Sequence, residues 1–142
     1  NQACVLWGNA SKEEVITILG VSDIFLFTSW RAAGYPLAVL EAMASGCAVV
    51  ASTESLANEE MLNGGRGVVL PVGDVEGTGK ALVRLMSDPE LRQQMGSLAR
   101  NYVAVEHSPN MFMRSLMRVT YWSRLNELLV KGASVLRSES KN

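Results

Sequence analysis

Gly34 to Ser52 reads GYPLAVLEAMASGCAVVAS, and it holds the residues best placed to do chemistry. Gly34 permits close approach of a backbone to a ligand, and Pro36 presets the first turn of a helix. The amides of Leu37, Ala38 and their neighbours then point out of a helix N-terminus, where the dipole favours an anion such as a phosphate. Glu41 projects from the same first turns, on a face shared with Leu37, Ala38, Ala44 and Ser45. Such small and apolar neighbours predict a partly desolvated carboxylate in want of a hydrogen-bond donor. A nucleotide diphosphate answers both features, with phosphate at the amides and ribose hydroxyls at Glu41. Spacing alone is weak evidence, because a glutamate one turn into a helix is common.

Whether the stretch is a site depends on the elements around it. Ala3 to Trp7, an apolar run ended by Gly8, predicts a strand. Ser11 and Glu14 stand at capping-box spacing, so Lys12 to Leu19 is expected to be a helix stopped near Gly20. Ile24 to Thr28 is apolar throughout, as in a strand covered on both faces. The opening stretch supplies helix Pro36–Ser45, a C-cap at Gly46 and strand Cys47–Ala51. Thr53 to Asn63 is expected to be helical with NGGRG as its stop, and Val68 to Leu70 a fourth strand. Val75 to Met86 reads as a helix weakened by Gly77 and Gly79. Another begins at Pro89 behind Ser87 or Asp88 and runs to about Val105. Ser108 and Pro109 repeat the cap signal before a long Met-rich amphipathic helix to about Val130, and the tail lacks periodicity.

Alternating strands and helices predict the α/β class: a Rossmann-like parallel sheet of about four strands with flanking helices and a long C-terminal helix. Ligands of such sheets bind outside the carboxyl ends of the strands. Thr28 to Tyr35 is a loop of that kind, and it delivers Pro36.

The totals bound the rest. With 142 residues, 48% hydrophobic and 19% charged, the chain suffices for one domain with a real core. A net charge of -1 gives no electrostatic case for nucleic acid. No window approaches a membrane span. Cys4 and Cys47 lie in apolar runs, without a CxxC pair or a nearby histidine, so neither a metal site nor a disulfide framework is expected. Buried reduced thiols are expected instead, in a reducing compartment. The first residue is Asn1, and the chain is expected to be a piece of something longer. His107, the sole histidine, falls at a turn between helices and reads as a capping or solvated residue. Arg66 reads as a solvated loop residue, with a phosphate contact as the alternative, and Trp30 as core packing rather than pocket lining.

The order of these segments resembles a known family. SDIFLFTSW, GYPLAVLEAMASGCAVVAS and NGGRGVVLPVGDVEGTGKALVRLMSDPELRQQMG are similar to the donor-side half of group 1 glycosyltransferases with the two-domain GT-B fold, over roughly Val5 to Tyr102. The resemblance implies that Glu41 is the second acidic residue of that family's signature and holds nucleotide ribose hydroxyls. It places Gly34, Tyr35, Pro36 and Leu37 at the donor sugar and diphosphate, Leu40 beside the nucleotide, and the NGGRG loop at the flank of the site. It further implies transfer of a hexose, with retention, from a nucleotide diphosphate sugar to a glycan or lipid acceptor, with no metal and no cofactor. The setting would be the cytoplasm or the cytoplasmic face of a membrane.

Two departures follow. Eight residues before Glu41 the family carries its first signature glutamate, and this chain has Ala33, whose methyl group accepts no sugar hydroxyl. The family's first two strand–helix units, its diphosphate-clamping basic pair and its N-terminal acceptor domain have no counterpart here. Residues 1–131 are therefore expected to be a partial nucleotide-sugar-binding domain, inactive when isolated, and 132–142 a flexible tail. The alternative is an inactive relative that serves as a binding or assembly module. A missing central strand would leave Ile24–Thr28 with an open edge, to be filled by the first strand or by a second copy in a homodimer.

Overall fold

The computed structural model describes residues 4–29, 36–53 and 56–108. The chain divides into two compact units, Asn1–Ala104 and Val105–Asn142. The second includes the expected Met-rich helix after Pro109 and the tail, which lie outside the described residues.

The first unit is an α/β layer structure in the order α1 (Lys12–Val21), β1 (Ile24–Phe27), α2 (Leu37–Ser45), β2 (Ala48–Thr53), α3 (Leu56–Leu62), β3 (Gly67–Pro71) and α4 (Val75–Ser87). A further helix, α5 (Pro89–Glu106), follows. The strands form one parallel sheet in the order β1-β2-β3, with Phe25 opposite Val49 and Val49 opposite Gly67. The class is the expected one. Among the described residues the sheet has three strands rather than about four.

The missing member is the first. Cys4 to Trp7 forms no strand, and its side chains face solvent, Leu6 being 94% exposed. Cys4 is exposed, not buried as expected. A strand is a pairing and not a local property, so an apolar run without a neighbouring ladder stays extended and wet.

Local signals fixed the helix ends. The Ser11 N–H donates to Glu14 Oε2 at 2.7 Å and the Glu14 N–H to Ser11 Oγ at 3.2 Å, the expected capping box. That first bond holds the Glu14 carboxyl below its ordinary range. Gly20 does not stop α1, which runs to Val21 and closes through the Ser22 N–H on Leu19 O. Gly46 ends α2 with φ 86°, a left-handed conformation that glycine adopts without strain. Asp74 caps α4 by accepting from the Gly77 N–H at 2.8 Å, and a Cβ on Gly77 would strike that carboxylate. Gly77 therefore serves the helix start that it was expected to weaken.

The sheet buries its two faces unequally. Val49 and Ala51 pack with Leu19 of α1, Val39, Ala42 and Met43 of α2, and Met61 and Leu62 of α3, beside Phe25 and Phe27. On the other face Ala48 and Val50 pack with Leu85 of α4 and Met95 of α5. Helix α4 spans β2 and β3, so Leu26 on β1 remains 43% exposed. The double coverage expected for β1 is partial, since Ile24 packs against this second cluster while Leu26 on the same face stays exposed. Among the described residues no helix is long and apolar enough to cross a membrane.

Candidate functional site

Helix α5 decides which end of the sheet is open. Arg92 approaches Asp23 at 3.8 Å, just before β1, and Gly96 lies against Gly46, just before β2. Leu98 Cδ1 comes within van der Waals reach of Gly65, just before β3. Helix α5 thus closes the end at which all three strands begin. Among the described residues no element closes the carboxyl ends, which is where a parallel sheet presents its loops to a ligand.

The NGGRG turn falls on the closed end, because it feeds β3, and so it does not flank the site as the resemblance implied. Arg66 is engaged there. Its Nε donates to Met61 O and its Nη2 to Glu60 O, both at 2.6 Å, and its guanidinium lies 4.2 Å from the Tyr102 ring centroid. It is thus held by the protein rather than solvated in a free loop. It caps the C-terminus of α3 and fastens that turn to α5.

At the open end, α2 begins on Pro36, and among the described residues no side chain caps its N-terminus. Val39, Ala42 and Met43 turn inward with no exposed surface. That rotation carries Glu41 outward, where it is exposed, as is Leu37, 72% accessible beside the helix start. Leu40 is half-buried against the core. The partial desolvation expected of Glu41 is absent, since its neighbours Leu37 and Ala44 also face solvent. Its carboxylate faces solvent. Trp30, Ala33, Gly34 and Tyr35 lie outside the described residues, so Pro36, Leu37, Leu40 and Glu41 are the members of the expected set that the structure brings together.

The same end carries a cleft of about 660 Å³ between the strand exits and α4, lined by Thr28, Ser29, Ser52, Gly73, Val75 and Leu82 among others. None of the residues lining it belongs to α2. Sequence reasoning missed this wall, and above all Ser52. Its hydroxyl accepts from the Ser29 N–H and donates to Ser29 O, both at 3.0 Å, across 23 residues of sequence. No sequence pattern marks such a pair. Among the described residues no group of three or more His, Cys, Asp or Glu is arranged to hold a metal ion. His107 follows α5, far along the chain from these loops, and is exposed as expected.

Comparison with known proteins agrees with this architecture. The family model described as glycosyl transferases group 1 matches residues 1–102. A glycosyltransferase of Methanocaldococcus jannaschii is 29% identical over 103 residues, 72% of this chain and 26% of that protein. N-acetyl-alpha-D-glucosaminyl L-malate synthase of Bacillus anthracis is 32% identical over 92 residues, 65% of this chain and 24% of that enzyme. The amylovoran biosynthesis glycosyltransferase of Erwinia amylovora is 33% identical over 122 residues, 82% of this chain and 30% of that protein. The chain thus spans about a quarter to a third of the length of these relatives. A match across residues 1–102, over a parallel α/β unit open at its strand exits, makes this chain a member of the group 1 glycosyl transferases.

Proposed function

We propose that this chain is part of the donor-binding domain of a glycosyltransferase that uses a nucleotide diphosphate sugar. One observation carries the reading: α2 starts at the open end of the sheet with no side-chain cap among the described residues, and Glu41 stands exposed one turn behind it. Phosphate oxygens fit the amides of the first turn, and vicinal ribose hydroxyls fit the Glu41 carboxylate. Gly34 and Tyr35 would complete the sugar and diphosphate contacts, with Leu40 beside the nucleotide. The reaction is hexose transfer with retention at the anomeric carbon, to a glycan or lipid acceptor held by a separate N-terminal domain of the full-length protein. Two of the relatives are named as glycosyltransferases, one of them in amylovoran biosynthesis, and the third as a glucosaminyl L-malate synthase. Two free cysteines support a cytoplasmic setting, in solution or at the membrane face.

The test is Glu41→Gln in the full-length protein, titrated with UDP, GDP and ADP. Two charge-assisted hydrogen bonds, each on the order of 1.5–3 kcal/mol, predict affinity weakened at least several-fold. Unchanged affinity removes Glu41 from the nucleotide site.

A second reading is a non-catalytic binding or assembly module of the same fold. Ala33, in place of the first signature glutamate, favours it.

A further inference from the structure

The ladder between β1 and β2 ends with Phe27 opposite Ala51, while β2 continues along β3 through Ser52 and Thr53. Beyond Phe27 the backbone pairing of β1 is replaced by a side chain. The Ser52 hydroxyl accepts from the N–H of Ser29 and donates to its carbonyl, both at 3.0 Å, and Ser52 is only 8% exposed. One hydroxyl thus stands in for a ladder rung and takes both backbone groups of a single residue. Continuing the register would set Ser52 against Thr28, so the chain leaves β1 with a one-residue step.

Ser52 is fastened on its other side as well. Its carbonyl accepts from Asn58 Nδ2 at 3.0 Å, which ties the exit of β2 to the first turns of α3. Asn58 is fully buried, and among the described residues its Oδ1 has no hydrogen-bond partner. An apolar residue of similar size would avoid that unsatisfied acceptor, so the asparagine is there for its amide donor.

Resting on the nucleotide reading above, we infer that Ser52, supported by Asn58, is the positioning residue of the donor site. It locks the two adjacent strand exits at a fixed spacing. Ser29 and Ser52 both line the cleft at the open end, so the hydroxyl sets the spacing between the loop that leaves β1 toward α2 and the loop that leaves β2 toward α3. Substrate need not touch Ser52. A misplacement of about an ångström at such an anchor is enough to lower turnover.

The experiment compares Ser52→Ala, Ser52→Thr and Glu41→Gln in the full-length protein, by UDP, GDP and ADP titration and by amide hydrogen exchange at Ser29. Ser52→Ala is expected to weaken the nucleotide that binds by about tenfold and to speed exchange at Ser29, while Ser52→Thr, which keeps the hydroxyl, restores both. Nucleotide binding that Ser52→Ala leaves unchanged, while Glu41→Gln weakens it, overturns the positioning role alone. A wild-type protein that binds none of the three nucleotides overturns the donor reading and this inference with it. Unaltered exchange at Ser29 in Ser52→Ala overturns the inference whatever the binding. If Ser52→Thr does not fold, exchange and binding in Ser52→Ala still decide.

Discussion

Gly96 of α5 packs directly on the carbonyl of Gly46, the left-handed residue that ends α2, so that a Cβ at position 96 would run into that oxygen. Neither glycine is replaceable for the same reason twice. Gly46 is needed for its φ of 86°, Gly96 for its missing side chain. The contact seats α5 across the strand starts and so helps to leave the opposite end free for ligand.

Gly96→Ala is therefore expected to destabilise the domain although alanine is the better helix former. Helix propensity favours alanine by roughly 1 kcal/mol, whereas forcing a methyl against a backbone carbonyl costs about 1–3 kcal/mol, and the obstacle has no rotamer to move. Denaturant unfolding checks it. A variant as stable as the wild type would mean that α5 can slide off Gly46.

Arg66 is expected to matter for stability and not for ligand. Its two hydrogen bonds to the last carbonyls of α3 and its place over Tyr102 predict a loss of about 1–3 kcal/mol in Arg66→Lys, because an ammonium cannot reproduce the planar fork. A double-mutant cycle with Tyr102→Leu should show coupling on the order of 0.5–1 kcal/mol. Weakened nucleotide binding at unchanged stability would return Arg66 to the ligand list.

Much of this fold was legible because its signals are local. Ser11 with Glu14, Asp88 before Pro89 and Gly46 after Ser45 each act within one turn, and each behaves as its residue type requires. What failed was non-local. The run Cys4–Trp7 has strand composition and no strand to join. Arg66 meets Tyr102, and Ser52 meets Ser29, only after the chain has folded. Of the candidate site, the helix start was legible, and the exposure of Glu41 was misjudged because the rotation of α2 is set by Val39, Ala42 and Met43 rather than by Glu41's neighbours in sequence.

The two cysteines should separate under a thiol reagent. Cys4 is exposed and should react in the native protein. Cys47 is buried, with its Sγ 3.4 Å from the carbonyl oxygens of Leu19 and Ser22, and should react only on unfolding. Burial, then the charge of Asp23, pushes its thiol above the ordinary 9.0. The unfolded chain therefore gives up this proton first. The contribution to stability is whole below pH 9.0 and declines as pH rises toward the higher native value. Native-state alkylation of Cys47 at the rate of Cys4 would contradict the packing.

The outer edge of β1 predicts self-association of this chain in isolation. Among the described residues no strand pairs beside Ile24–Phe27 on that edge, and Leu26 is exposed there. Light scattering should show mass rising with concentration, and Leu26→Lys should suppress it. A constant monomer mass near 15.4 kDa up to high micromolar concentration would show that the edge is protected.

The last prediction separates the two readings of function, and it turns on one methyl group. Glu41 can hold a ribose whether or not the protein is an enzyme, because ribose binding involves no change of charge. Transfer is different, since positive charge develops at the anomeric carbon and only a group placed near it lowers the barrier. Ala33 occupies the position from which, by resemblance, the family's first glutamate acts, and a methyl group supplies no such field. Restoring a well-placed electrostatic group is worth roughly 10²–10³ in turnover where the rest of the site is intact. Ala33→Glu in the full-length protein should therefore raise kcat by at least tenfold while the KM for donor changes little, as expected of a contact made in the transition state. A rise of that pattern identifies a slow but competent enzyme. If kcat does not move while Glu41→Gln still weakens nucleotide binding, the chain binds nucleotide without catalysis, and the assembly-module reading replaces the enzyme.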